Sequence, residues 1–154
     1  TGSAACLPSP AFAARAGIES SSYYSEAAKP SVKNAKRFVG TYDDKLHPSC
    51  ERRISIEEQV QFSEVTGRKY FSALFSGTDV VPAGLDGLIF APCDEASMKK
   101  TGREYTFNAK IAADGESVDA GDNIHVGRWH PAGLPPSDDW IGIKWKDGNR
   151  WVKN

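Results

Sequence analysis

The sequence predicts an all-β fold, a small antiparallel barrel or sandwich of about seven strands with an extended N-terminal arm. After residue 38, apolar and polar residues alternate over short segments. Turn sequences that contain Gly separate these segments about every eight to twelve residues. No segment after residue 38 has the length and apolar period of a substantial helix, so strands account for the pattern.

The composition fits one soluble globular domain, with 154 residues of which 40% are hydrophobic and 25% charged. The net charge of −1 provides no general attraction to nucleic acid, and we expect no nucleic-acid partner. The apolar runs are too short to span a bilayer, which leaves peripheral contact as the expected relation to a membrane. Because the chain begins at Thr1 rather than Met, we expect a mature chain whose leader was removed.

Residues 1–37 are predicted to be an extended arm and residues 38–154 a β-domain. Prolines, Gly17 and the polar run 20–22 interrupt the arm, which lacks the apolar residues to form its own core. Such a segment becomes ordered only against another surface, which is either a partner protein or its own β-domain. The residues expected to bind a partner are Phe12, Ile18, Tyr23, Tyr24 and Arg37.

The first strands are predicted at 37–42 and 52–56, and a separate short strand holds Val60 and Phe62. Residues 69–76 form an aromatic-rich strand with Phe71, Ala73 and Phe75 on one side. The clearest alternation covers 104–111, where Tyr105, Phe107, Ala109 and Ile111 share a face. Further strands are predicted at 85–90, 123–128, 139–145 and 149–153, and one or two helical turns at 93–100.

The final turn, at residues 146–149, allows two hairpin registers. A three-residue loop over 147–149 places Trp145 opposite Trp151, whereas a two-residue loop over 147–148 places it opposite Arg150. In either register the tryptophans are expected to pack within the sheet.

Three cysteines leave the redox state open. Cys50 and Cys93 lie in the predicted β-domain and either form a disulfide or remain free thiols, as Cys6 in the arm does. The segment 47–50 could offer a metal with His47 and Cys50, but the remaining ligands are scattered, unlike those of a zinc site. We interpret this segment as a tight turn at Pro48.

No spacing in the sequence indicates catalysis. No helix N-terminus lies beside Cys50 to activate it against His125 or His130, and the acidic residues fall mostly in turns. Phosphate-binding loops and nucleophile elbows are absent from the sequence. We therefore expect no enzyme, and no cofactor, metal or catalytic residue.

Two segments resemble a small domain of oxygenic phototrophs, mainly algae and cyanobacteria. The matching residues are Gly40, Thr41, Tyr42, His47, Pro48, Cys50 and Arg52 near the start, and Gly142, Ile143, Trp145, Asp147, Gly148, Asn149 and Trp151 near the end. The resemblance covers both ends of the β-domain but not residues 64–137. Similar domains occur as accessory photosystem subunits in red-lineage algae such as diatoms.

The resemblance implies a non-catalytic accessory subunit that docks on a photosynthetic membrane complex, with photosystem I favoured. Its arm and its β-domain surface would stabilise neighbouring subunits at the thylakoid membrane of a plastid. Residues 11–13 resemble a thylakoid-transfer cleavage site that was left uncut, which favours the stromal side. The alternative is a lipocalin-like β-barrel that binds a small apolar ligand in a cavity lined by strands 69–76 and 104–111.

Overall fold

Eight antiparallel strands form a closed barrel in the computed structural model, which describes residues 29–81, 92–122, 125–131 and 139–154. Each strand pairs with the next one along the chain, and β8 closes the barrel against β1. The predicted all-β fold is confirmed, with eight described strands. They are β1 (Gly40–Asp44), β2 (Glu51–Ser63), β3 (Arg68–Val80), β4 (Gly102–Ala112), β5 (Ser117–Asp119), β6 (Val126–His130), β7 (Gly142–Trp145) and β8 (Arg150–Lys153).

A short helical segment closes one end of the barrel. Helix α1 (Val32–Ala35) begins where the Ser31 hydroxyl accepts the N–H of Asn34, and a 3-10 helix (Lys36–Phe38) continues it. Ala35 and Phe38 are completely buried in the main core. The strand predicted to begin at residue 37 was therefore wrong over 37–39, because burial of Phe38 in the barrel end favours a helical turn there.

The main core extends from this closed end into the barrel. Phe38 meets Trp129 edge to face at 5.2 Å between ring centroids, and the Tyr42 hydroxyl donates to the Phe38 carbonyl at 2.6 Å. The largest inward side chains with no exposed surface include Phe71, Phe75 and Ile111. Each of them comes from an alternating segment, so the alternation assigned the inner face correctly.

The hairpin of β2 and β3 is longer than the sequence predicted. Residues 52–56 and the Val60 segment belong to one strand of 13 residues, because a bulge carries the chain through 57–59 without ending the ladder. Three residues of β2 lie opposite Ser72 alone at this point. Beyond the bulge, the side chain of Phe62 remains 59% exposed and that of Val65 at the turn 96%.

The C-terminal hairpin adopts neither predicted register. Ile143 lies opposite Trp151, and the loop has three residues, 146–148, closed by the Trp145 N–H donating to the Asn149 carbonyl. Gly148 has a φ of +92°, a conformation that glycine adopts without strain. Trp145 and Trp151 still meet edge to face, with ring centroids 5.0 Å apart.

Helix α2 (Glu95–Thr101) confirms the helical turns predicted near 93–100, and the Asp94 carboxylate caps it by accepting the N–H of Ser97 at 2.7 Å. Among the described residues, neither helix is long and apolar enough to cross a membrane. The strand predicted at 85–90 lies outside the described residues. The strand predicted at 123–128 is found as β6, two residues further along at its end.

Candidate functional site

A cavity of about 510 Å³ opens at the end of the barrel opposite α1. This volume is within the range of about 300–1,000 Å³ that is typical of sites for small molecules. The strand ends and turns that line it include the β1–β2 turn, the start of β4, the loop after β5 and the β7–β8 turn. The surface that faces the cavity is mostly apolar.

Four aromatic side chains form the apolar wall of the cavity: Tyr105, Phe107, Trp145 and Trp151. Phe107 lies opposite the buried Phe75 in the β3–β4 ladder, so it is on the inner face of the barrel. It is nevertheless 37% exposed, because none of the described side chains fills the space in front of it. The indole of Trp145, by contrast, is almost completely buried.

Arg52 is a buried cation in the wall of the cavity. Its Nε donates to Asp44 at 3.0 Å, its Nη1 to the Thr78 carbonyl at 2.6 Å, and its Nη2 to Asp79 at 3.5 Å. The guanidinium carbon lies 5.5 Å from the ring centroid of Tyr105 and 5.6 Å from that of Trp151. These contacts fix the orientation of the guanidinium.

The carboxylate of Asp44 holds this end of the barrel together. Besides Arg52, it accepts hydrogen bonds from His47 Nδ1, from Asn149 Nδ2 and from the backbone N–H of Leu46. Burial alone would raise the pKa of Asp44, but the hydrogen bonds and the charge of Arg52 outweigh it and hold that pKa well below its usual range. Asp44 is therefore ionised and links three separate segments.

The hydrogen bond to Asp44 raises the pKa of His47 above its ordinary value of 6.5, against the opposing effects of partial burial and of Arg52. Burial raises the pKa of Tyr105 as well, although the nearby Arg52 opposes the shift. Both groups line the cavity, which thus places a protonatable imidazole and a neutral phenol beside the space for a ligand.

The close approach of strands at this site depends on Gly77, which lies opposite Arg52 in the β2–β3 ladder. A methyl group at Gly77 would lie 1.9 Å from the Glu51 carbonyl oxygen and 3.0 Å from the Tyr105 hydroxyl. Only a residue without a side chain fits this position.

Two turns at the rim bring carboxylates to either side of one imidazole. His125 Nδ1 is hydrogen-bonded to Asp122, and its Nε2 lies 4.0 Å from Asp147 Oδ2. Asp122 and His125 belong to the loop between β5 and β6, whereas Asp147 belongs to the β7–β8 turn. All three line the cavity, and their side chains are 37% to 51% exposed.

A disulfide between Cys50 and Cys93 lies next to the cavity. With Val80 and Met98 it forms a second apolar cluster, separate from the main core. The Cys93 N–H also donates to the Pro48 carbonyl at 2.9 Å, which fastens the segment before α2 to the β1–β2 turn. The two sulfur atoms and a carboxylate oxygen of Asp79 lie within 4.8 Å of one another, but in the disulfide both sulfurs are consumed and are not thiolate ligands.

Of the residues expected to bind a partner, Phe12, Ile18, Tyr23 and Tyr24 lie outside the described residues. Arg37 contacts its own barrel: its Nη2 donates to the Gly115 carbonyl at 2.8 Å and to Glu116 at 2.9 Å, and its guanidinium lies over Trp129. The residues immediately before the barrel therefore lie on the barrel itself.

The burial of Arg52 could have been predicted from the sequence. Arg52 lies two residues before Ile54 in a predicted strand, so its charged side chain is expected on the same inner face as that of Ile54. A buried arginine requires carboxylate and carbonyl partners, and such a requirement often accompanies a polar site.

No family model, curated protein or solved structure matches this chain.

Proposed function

We propose that this barrel binds a small, mostly apolar molecule in the cavity at its open end. The observation that carries the proposal is Phe107, which faces into the barrel and remains 37% exposed to a cavity of about 510 Å³ that the described side chains leave open. Exposing a large aromatic group to water costs free energy that a bound apolar ligand would recover, at about 25 cal/mol per Å² of buried apolar surface.

The polar groups of the cavity support a binding site rather than a catalytic one. Asp44 and Arg52 neutralise each other and are engaged in hydrogen bonds to the protein. Such fixed groups orient a ligand and give specificity, as is common in small-molecule sites. Of the two strands expected to line the cavity, β4 supplies Tyr105 and Phe107, whereas the inward residues of 69–76 fill the core instead.

The neutral fluorescent probe N-phenyl-1-naphthylamine tests this function. We expect its emission to rise saturably with the protein, and the substitution Ala120→Phe, at a small residue lining the cavity, to abolish the response. The matched substitution Ala96→Phe, at an exposed position of α2, should leave it unchanged. Weak, non-saturable emission that is the same in both variants would rule the function out.

As a second candidate function, we propose that the chain is a non-catalytic accessory subunit docked on photosystem I, at the stromal side of the thylakoid membrane in a plastid. The residues shared with the phototroph domain motivate it. The exposed apolar side chains of the β2–β3 hairpin, Phe62 and Val65, offer a surface for protein contact. Its partners would be subunits of the membrane complex.

Limited proteolysis of the full chain tests this docking. Cleavage between Ser20 and Tyr24 in the isolated chain, together with protection at the same bonds in a thylakoid extract, would support an arm that lies on neighbouring subunits. If these bonds are already protected from the protease in the isolated chain, the proposal that the arm docks on neighbouring subunits loses its main support. In parallel, the double substitution Phe62→Ser/Val65→Ser should weaken co-sedimentation with photosystem I, while Leu74→Ser, also at an exposed apolar position, should not.

A further inference from the structure

Carboxylates outnumber arginines among the described residues that line the cavity. Among the described lining residues there are four carboxylates, those of Asp44, Asp79, Asp122 and Asp147, against two arginines. Leaving the two lining histidines aside, these described side chains carry a net charge of −2. An excess of negative charge beside an apolar wall favours a cationic ligand over an anionic one.

Two of the four carboxylates contact the buried Arg52. Asp44 is paired with Arg52, and their side chains are only 2% and 4% exposed. Asp79 lies opposite Arg103 in the β3–β4 ladder and also contacts Arg52 at 3.5 Å. The other two carboxylates lie at the rim, away from this buried cation.

The remaining carboxylates, Asp122 and Asp147, flank His125. Their side chains are 44% and 37% exposed, so both are accessible from the cavity mouth. His125 carries at most one positive charge, so the trio is negative whether or not His125 is protonated. A cation placed here would gain Coulomb energy without first breaking a buried ion pair.

We propose that the ligand is an organic amine, a protonated ammonium group on an apolar body. The ammonium lies beside Asp122 and Asp147 at the rim, and the apolar body lies inward against Phe107. Each part of such a molecule meets its complement: carboxylates at the mouth and an aromatic wall behind them. This inference rests on the proposed ligand-binding function and specifies its ligand class.

Three naphthalene derivatives of similar shape test separately whether the cavity binds an apolar ligand and whether it prefers an amine. They are 1-naphthylmethylamine, 1-naphthylmethanol and 1-naphthoic acid. Calorimetry on the full chain is expected to give the tightest binding for the amine, weaker binding for the alcohol and the weakest for the acid. Added salt should reduce the advantage of the amine, because the carboxylates are partly exposed.

The double substitution Asp122→Asn/Asp147→Asn keeps the shape and removes the charge. We expect it to weaken binding of the amine about tenfold, which corresponds to about 1.4 kcal/mol, because two partly exposed ion pairs are lost, and to leave binding of the alcohol unchanged. Asp43→Asn, at an exposed position outside the cavity, is the matched control and should change neither.

The outcomes are distinguishable. If the amine and the alcohol bind equally to the unaltered chain, the amine inference is wrong while the binding function stands. If none of the three probes binds, the binding function itself fails. The comparison of amine with alcohol needs no variant, so the inference is decided even if the doubly substituted chain does not fold.

Discussion

Arg52 donates its Nε–H to Oδ2 of Asp44 over 3.0 Å, and both side chains are almost completely removed from solvent. This pair joins β2 to the end of β1 beneath the open mouth of the barrel. Isolated buried charges are costly, so each member requires the other. The same guanidinium lies over the rings of both Tyr105 and Trp151.

Replacing Asp44 by Ala is expected to destabilise the protein by about 3–5 kcal/mol, because it leaves the charge of Arg52 buried without its partner. The free energy of unfolding in urea measures this. Asp43→Ala, one residue earlier and exposed, should change stability by no more than about 0.5 kcal/mol. Equal losses in the two variants would mean that the buried pair is not what stabilises this end.

The pair of His47 and Asp44 predicts a pH dependence of stability. The folded-state pKa of His47 is raised above 6.5, so its contribution is fully present below pH 6.5 and is lost as the pH rises through that folded value. The folded-state pKa of Asp44 is lowered from 3.8, so its contribution is present above pH 3.8 and is lost in stronger acid.

Urea midpoints measured across pH check this expectation. Between pH 3.8 and 6.5 both contributions are present, and stability should decline as the pH increases above 6.5. His47→Gln should abolish that decline, whereas His125→Gln should preserve it. A decline that persists without His47 would assign the effect to another group.

The disulfide between Cys50 and Cys93 closes a loop with a sequence separation of 43, for which loop entropy predicts a stabilisation of about 4 kcal/mol. Alkylation of the oxidised chain under denaturing conditions should modify only one of the three cysteines, Cys6. The variant Cys50→Ser/Cys93→Ser should unfold at lower urea, whereas Cys6→Ser should match the unaltered chain. Three modified thiols in the untreated protein would contradict the bridge.

Phe38→Ala is expected to cost about 3–5 kcal/mol, because it opens a cavity in the closed end of the barrel and removes the contact with Trp129. Thermal unfolding measures the loss. The adjacent Val39 is 38% exposed, and Val39→Ala should have a much smaller effect. If the two substitutions were equivalent, the helical segment would not be part of the core.

The alternating segments predicted the barrel wall because alternation is local information. Residues 104–111 lie entirely within β4, and their inward set includes the buried Ala109 and Ile111. Strand β5 has only three residues, Ser117–Asp119, which is too short for alternation to be seen. The strand was predicted as two pieces because the polar residues 57–59 interrupt the series of apolar residues at alternate positions.

The cavity could not be located from the sequence, since its walls meet only when the barrel closes. Tyr105 and Trp151 belong to strands that do not pair with each other, yet both contact Arg52. The register of the C-terminal hairpin could not be predicted either. A turn that contains Gly148 is compatible with loops of two or three residues that begin at different positions. The exposure of Phe107 depends on what stands across the barrel, which no local pattern contains.

The core packed by Phe38 and the cavity bordered by Asp122 and Asp147 occupy opposite ends of the barrel. Substitutions in the mouth turns that spare Asp44, His47 and Asn149 can accumulate without loosening the hydrophobic core at the closed end. Such an arrangement suits the chain as a scaffold for directed evolution, in which libraries confined to these turns would search for new specificities at little expense in foldability.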